Sequence, residues 1–164
     1  MNAPVMNTAC RRAEEAIDLS EPVLLFSLGS EVFAIAADCV REILDVPPVT
    51  RVPGAPAHVD GLVNVRGAVV PLADLRIPFA MPSRGLEAEA RVIMIEEMIA
   101  GEREVVGLLA DRVSDVCLLD ERAIDPPPDF GLRWRPEFVR GIGRKAGSFV
   151  IIPDVDGIFR NQTG

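Results

Sequence analysis

Acid–base, nucleophilic and metal chemistry each need particular side chains at particular spacings, and this chain supplies few of them. The single histidine, His58, lies in APAHVDG with no Glu, Cys or Ser motif beside it. It therefore has no triad or metal partners, and its loop-like surroundings do not suit a phosphoacceptor on an exposed helix face. Cys10, Cys39 and Cys117 are odd in number and far apart, which fits neither a disulfide framework nor a CxxC metal pair. No GxxxxGK[ST], HExxH, GxSxG or GxGxxG segment occurs, so nucleotide, zinc and hydrolase chemistry lack their minimum parts. A carboxylate pair such as Asp111 and Asp115 offers acid–base chemistry, yet nothing else in the sequence supports it. None of these patterns completes a catalytic or metal-binding motif.

The charge that asks for an explanation is Arg66. It stands among β-branched strand residues beside Gly67, where a long cation is costly to bury alone and must reach water or find a carboxylate. Glu42 is the natural partner, and apolar neighbours on both sides predict a partly buried pair. Gly61 and Gly67 bracket LVNVR, where a tight turn or a close backbone approach excludes a Cβ.

Strands must position these residues. From Val23 onward, short apolar runs are broken by Gly, Pro and Asp, and few stretches are long enough for an amphipathic helix. VLLFSLGSEVFAIA predicts two strands around Gly29–Ser30, and RVIMIE (91–96) with REVVGLLA (103–110) predicts another pair around Ala100–Gly101. Further strands are expected at 43–52, 61–72, 115–120, 138–144 and 148–153. Pro78 to Gly85 connects two halves, and Pro126 to Pro128 must be loop because proline cannot lie in a central strand.

The halves repeat each other. AADCVREIL (36–44) matches LADRVSDVC (109–117), setting Val40 against Val113, Glu42 against Asp115 and Ile43 against Val116. HVDGLVNVRGAVVPLADL (58–75) then matches FVRGIGRKAGSFVIIPDV (138–155), setting Gly61 against Gly141 and Gly67 against Gly147. Arg66 falls opposite Ala146, so only the first half carries that charge. The division predicted is a flexible tail over 1–20, a first repeat over about 21–77, a second over about 90–160 and a C-terminal tail at 161–164.

Composition bounds the partners. With 49% hydrophobic residues, 164 residues can bury a substantial core, and a net charge of −8 argues against nucleic acid, whose backbone needs clustered Lys and Arg. No run reaches the 18 to 20 apolar residues that span a bilayer, and the N-terminus lacks the apolar region of a signal peptide. Unpaired cysteines suit a reducing cytosol.

LLFSLGSEVFAI, VREILDVPPVTRVPGAPAHVDGLVNVRGAVVPLADLR, VVGLLADRVSDV and FVRGIG, in that order, resemble the CheW family of chemotaxis coupling proteins over about residues 22–160. The resemblance implies a mainly β fold of two SH3-like five-stranded β-barrel subdomains with a few short helices and a groove between the barrels. It also implies a non-enzymatic cytoplasmic adaptor without cofactor, bridging the regulatory domain of a CheA-type histidine kinase to the cytoplasmic hairpin tip of chemoreceptors. By the same resemblance Glu42, Arg66 and Gly61 belong to kinase coupling and control, and Val40, Ile43, Val105, Val106 and Val113 to the receptor-binding groove. Apolar side chains suit a groove that takes helical stripes. The chain departs from common members in its long N-terminal tail and in a loop carrying Arg133, Trp134 and Arg135. Alternative readings are an adaptor of a chemosensory pathway controlling pili or surface sensing, and an unrelated β-barrel peptide-binding module.

Overall fold

A computed structural model describes residues 21–55, 59–82, 85, 87–120 and 136–160. Both predicted tails, His58, the triple-proline loop and the Arg133, Trp134, Arg135 stretch lie outside the described residues.

The chain is mainly β. Strands β1 (Val23–Leu28) and β2 (Glu31–Ala36) form a hairpin, and a short 3-10 turn (Ala37–Cys39) leads to β3 (Val40–Asp45) and the two-residue β4 (Val49–Thr50). A second hairpin follows, β5 (Val59–Val65) and β6 (Ala68–Ala73). The other half repeats this order with β7 (Arg91–Ile99), β8 (Glu102–Ala110) and β9 (Arg112–Cys117), then a 3-10 turn (Pro136–Phe138), β10 (Val139–Lys145), β11 (Ser148–Pro153) and a terminal helix α1 (Val155–Arg160).

Four predicted strands differ in extent, the one expected over 91–96 running on to Ile99. The stretch 43–52 is interrupted between β3 and β4 because Pro47 and Pro48 cannot donate to a ladder. The stretch 61–72 folds back on itself at Arg66–Gly67, where φ is +51° and +85°, the left-handed pair that closes a two-residue hairpin. Ala146–Gly147 and Ala100–Gly101 repeat that geometry. The strand expected at 115–120 starts earlier, at Arg112.

The two sheets do not coincide with the two halves of the sequence. One sheet runs β10-β11-β2-β1-β9 and the other β3-β7-β8-β6-β5-β4. The first hairpin of each half is thus inserted between strands of the other half. The hairpin β1–β2 is flanked by β11, in parallel pairing, and by β9, while β7–β8 is flanked by β3 and, again in parallel, by β6. Each sheet curls into a half-barrel. Val46 to Pro48 link β3 to β4, the opposite edges of their sheet, and in the other sheet the chain after β9 returns to β10, where Asp120 N donates to Arg144 O at 2.8 Å.

Period-two alternation sorts the apolar residues into three clusters. Leu24, Phe26, Leu28, Phe33 and Ile35 from one sheet meet Ile93, Ile95, Val106 and Leu108 from the other, forming the largest core along the seam between the sheets. The alternate positions fill the half-barrels: Val63, Val70, Leu72, Val92, Met94 and Leu109 in one, Val23, Ala34, Leu119, Val150 and Ile152 in the other. Strands covered on both faces read as continuous hydrophobic runs, which explains segments such as VVGLLA. Phe33 anchors the seam, stacked on Phe26 at 5.6 Å between centroids and edge-on to Phe79 at 5.2 Å.

One buried cation ties the halves together. Arg76, just after β6, is 3% exposed and forms ion pairs with Asp74, at 3.7 Å, and with Asp111 in the β8–β9 link. The other Asp111 oxygen accepts the Gly29 amide at 2.7 Å, so one carboxylate joins the β1–β2 turn, the end of β6 and the end of β8. Removing one partner from such a buried pair strands the other charge. Arg76→Ala is expected to lower stability by about 3–5 kcal/mol in urea unfolding, with a single transition retained.

Candidate partner-binding site

Glu42 and Arg66 meet across the closure of the second sheet. Glu42 lies on β3 just after a bulge that shifts its register on β7, and Arg66 is the first residue of the β5–β6 turn. Arg66 Nη2 donates to Glu42 Oε1 at 2.7 Å while Nη1 donates to Oε2, a bidentate fork. The turn itself is held by Asn64, whose Oδ1 accepts the Gly67 amide at 2.9 Å. The partial burial predicted for both residues holds only for the acid, since the side chains are 74% exposed for Arg66 and 28% for Glu42. Arg66 stands at a hairpin tip and not within a strand, and the tip projects it into water. Its hydrogen bonds hold the Glu42 carboxyl below the usual range against a small opposing effect of burial.

A second charged group lies on the same sheet. Glu96 of β7 accepts from Arg41 Nε at 2.7 Å and from Arg103 Nη1 at 3.1 Å, and the Arg41 hydrogen bond is the main reason its carboxyl is held down. Among the described residues, the other sheet carries no equivalent of the fork. Opposite Arg66 stands Ala146, whose amide donates to Asp120, and Lys145 Nζ pairs with that same carboxylate at 3.4 Å.

Gly61 marks a close approach. A Cβ there would lie 2.6 Å from both the Thr50 carbonyl oxygen and Val49 Cγ1, so any side chain pushes β4 away from β5. Gly67, with open space around it, is needed for its positive φ alone.

The five apolar residues assigned to the groove do not form one surface. Val40, Ile95 and Val106 make a row across β3, β7 and β8 on the seam face, with Val106 only 2% exposed. Val113 packs against the same core from the other sheet, opposite Phe26. Val105 points the other way, into the half-barrel core. Ile43, paired with Ile93, lies on the same face of the sheet as Val40 but is 42% exposed. The repeat supplies a pattern that the sequence reading missed: Ile43 and Val69 are exposed on one half-barrel, and their counterparts Val116 and Phe149 are exposed on the other. Of the two aspartates weighed for acid–base chemistry, Asp111 has both carboxylate oxygens engaged, by Arg76 and by the Gly29 amide.

The comparisons with known proteins agree with this architecture. The family model described as a CheW-like domain matches residues 22–163. The chain belongs to the CheW-like domain family. Among its relatives are the chemotaxis protein CheW of Rhizobium meliloti, 33% identical over 85% of this chain and 88% of that protein, and CheW of Klebsiella aerogenes, 32% identical over 94% and 90%. The crystal structure of the scaffolding protein TtCheW from Thermoanaerobacter tengcongensis superposes with a TM-score of 0.73 at 30% identity, covering 85% of this chain and 92% of that one. The exchanged half-barrels are therefore a CheW-like fold. No helix among the described residues is long and apolar enough to cross a membrane.

Two outcomes test this geometry. Arg66→Ala should return the Glu42 carboxyl to the ordinary carboxylate range in a 13C NMR titration. The sign follows, because a lowered folded value makes the pair's contribution present near neutrality and lost as pH falls through it. Gly61→Ala should raise amide exchange at Val49 and Thr50 selectively, since the added methyl collides with backbone that cannot rotate away.

Proposed function

We propose that this protein is a non-enzymatic coupling adaptor of a chemotaxis pathway, working in the cytoplasm. It binds the regulatory domain of a CheA-type histidine kinase and the hairpin tip of a chemoreceptor's cytoplasmic region, and holds the two in one complex. The observation that carries this reading is the CheW-like match across residues 22–163, together with relatives that are themselves chemotaxis proteins.

The site geometry supports a division of labour. An exposed ion pair contributes little to folding, but a bidentate fork fixes the direction of its charges, and fixed charges set partner orientation and specificity more than raw affinity. Glu42 and Arg66 thus suit control of a docked kinase. Gly61 acts beneath them, because it sets how closely the edge strand β4 approaches β5, whose hairpin turn carries Arg66. For the receptor, Val40 and Val113 offer partly exposed apolar contact on either side of the seam, and the exposed Ile43 extends the Val40 face along β3. Val105 and Val106 act from within by shaping the strand that supports this surface. A helical hairpin buries its apolar stripe against such positions.

Purified protein should bind a CheA-type regulatory domain with a Kd of about tens of micromolar or tighter, without ATP, metal or cofactor. No calorimetric heat and no co-elution at those concentrations would contradict the reading. Arg66→Ala and Glu42→Ala should each reduce receptor-dependent kinase control more than they weaken binding. The swapped double variant, Glu42→Arg with Arg66→Glu, should fold normally and still fail to signal, because the partner reads the orientation of the pair.

A further inference from the structure

Among the described residues, the seam between the sheets holds a carboxyl group beside its apolar side chains. On β7 the alternation Ile93, Ile95, Glu97, Ile99 directs Glu97 to the seam face, where Ile93 and Ile95 are fully buried and Glu97 and Ile99, nearer the strand end, are half-buried. There Cys39 Sγ donates to Glu97 Oε2 at 3.5 Å. Cys39 is 2% exposed and belongs to the 3-10 turn where the chain crosses from one sheet to the other. From the opposite sheet, Arg140 of β10 and Asp154 at the end of β11 act on the same carboxyl. Glu104 of β8 is paired directly with Glu97, shares its face of the sheet and is exposed. Asp38 is exposed, Asp156 of α1 accepts the Ala100 amide, and Arg41 of β3 is paired with Glu96.

We propose that the Glu97 carboxyl is a proton-operated joint between the two sheets, packed in the apolar seam when it holds its proton and drawn out toward Cys39 and Arg140 when it gives it up. A protonated carboxyl suits an apolar seam, whereas an ionised one must be drawn toward Arg140 while Asp154 repels it. Burial is the dominant influence and pushes the Glu97 carboxyl up to about 7, with the Cys39 and Arg140 interactions opposing the rise and Asp154 adding to it. The value lies where modest changes in cytoplasmic pH alter the protonated fraction. The sign is fixed by linkage: a raised folded value gives stability that is complete below the unfolded value near 4.5 and is lost as pH rises through about 7. The joint involves no partner surface, so its failure would leave the adaptor reading untouched, and failure of that reading would leave the joint intact.

The test compares the full chain with Glu97→Gln, which keeps the shape and hydrogen bonding of the carboxyl and removes its charge. In urea unfolding, the ratio of the wild-type to the variant unfolding constant should rise about tenfold per pH unit between pH 5 and 6.5 and level off above about 7.5. Amide exchange at residues 93–98, corrected for base catalysis, should increase over the same interval in wild type and stay flat in the variant. A 13C titration of the wild type, which needs no variant to fold, should place the Glu97 carboxyl near 7. Cys39→Ala should move it higher by removing a donor to the ionised form. Parallel pH curves for the two proteins, or a wild-type Glu97 that titrates in the ordinary carboxylate range, would overturn the proposal.

Discussion

The rest of the structure depends on an exchange of strands. The first hairpin of each half is bonded on both sides to strands of the other half, β1–β2 to β11 and β9, and β7–β8 to β6 and β3. A half left alone would keep its hairpins but lose the ladders that complete both curled sheets. Exchange also explains where the largest core lies. Hairpins that pass between two sheets bring those sheets face to face, and Leu24, Phe26 and Phe33 then pack against Ile93, Ile95 and Val106 along the seam. The buried Arg76 carries the same logic into electrostatics, since its carboxylate partners come from both halves.

This constraint places the candidate site. Glu42 sits on β3, an edge strand anchored only to the other half, while Arg66 comes from the turn of the β5–β6 hairpin, beyond β7 and β8 in the same sheet. Their fork therefore spans the closure of a half-barrel built from both repeats, and it reports how the sheet is closed. Duplication followed by divergence leaves the other half-barrel with Ala146 and an Asp120–Lys145 pair in the corresponding place. Two similar scaffolds thus expose similar apolar positions, Ile43 and Val69 on one, Val116 and Phe149 on the other, under different charges.

Much of this was legible in the sequence. Strand content follows from short apolar runs and turn residues, and the repeat follows from the spacing of Asp38, Val40, Gly61 and Gly67 against Asp111, Val113, Gly141 and Gly147. The Glu42–Arg66 pairing was readable because an acid and an arginine were matched unequally between the halves. The exposure of Arg66 was not, because apolar neighbours in sequence do not reveal that a residue is the left-handed first position of a two-residue turn, where the chain reverses into solvent. The exchange was hidden as well, since internal similarity shows that two units are alike and not which strands pair. Arg76 was overlooked inside VPLADLR, where nothing local indicates that a carboxylate 35 residues away neutralises it. Glu97 escaped because the strand was expected to end at Glu96. Extending the period-two pattern through Ile99 would have set it on the buried face.

If strand exchange is what makes the molecule a single structure, its halves should not fold separately. Residues 21–77 and 90–160, expressed as two fragments, test this most directly by circular dichroism and amide exchange, alone and after mixing. The account predicts that each fragment alone lacks protected amides, and that mixing restores a β-sheet spectrum with protection in β1, β2, β7 and β8. A fragment that folds cooperatively by itself, with protected amides in its own hairpins and no change on mixing, would contradict it.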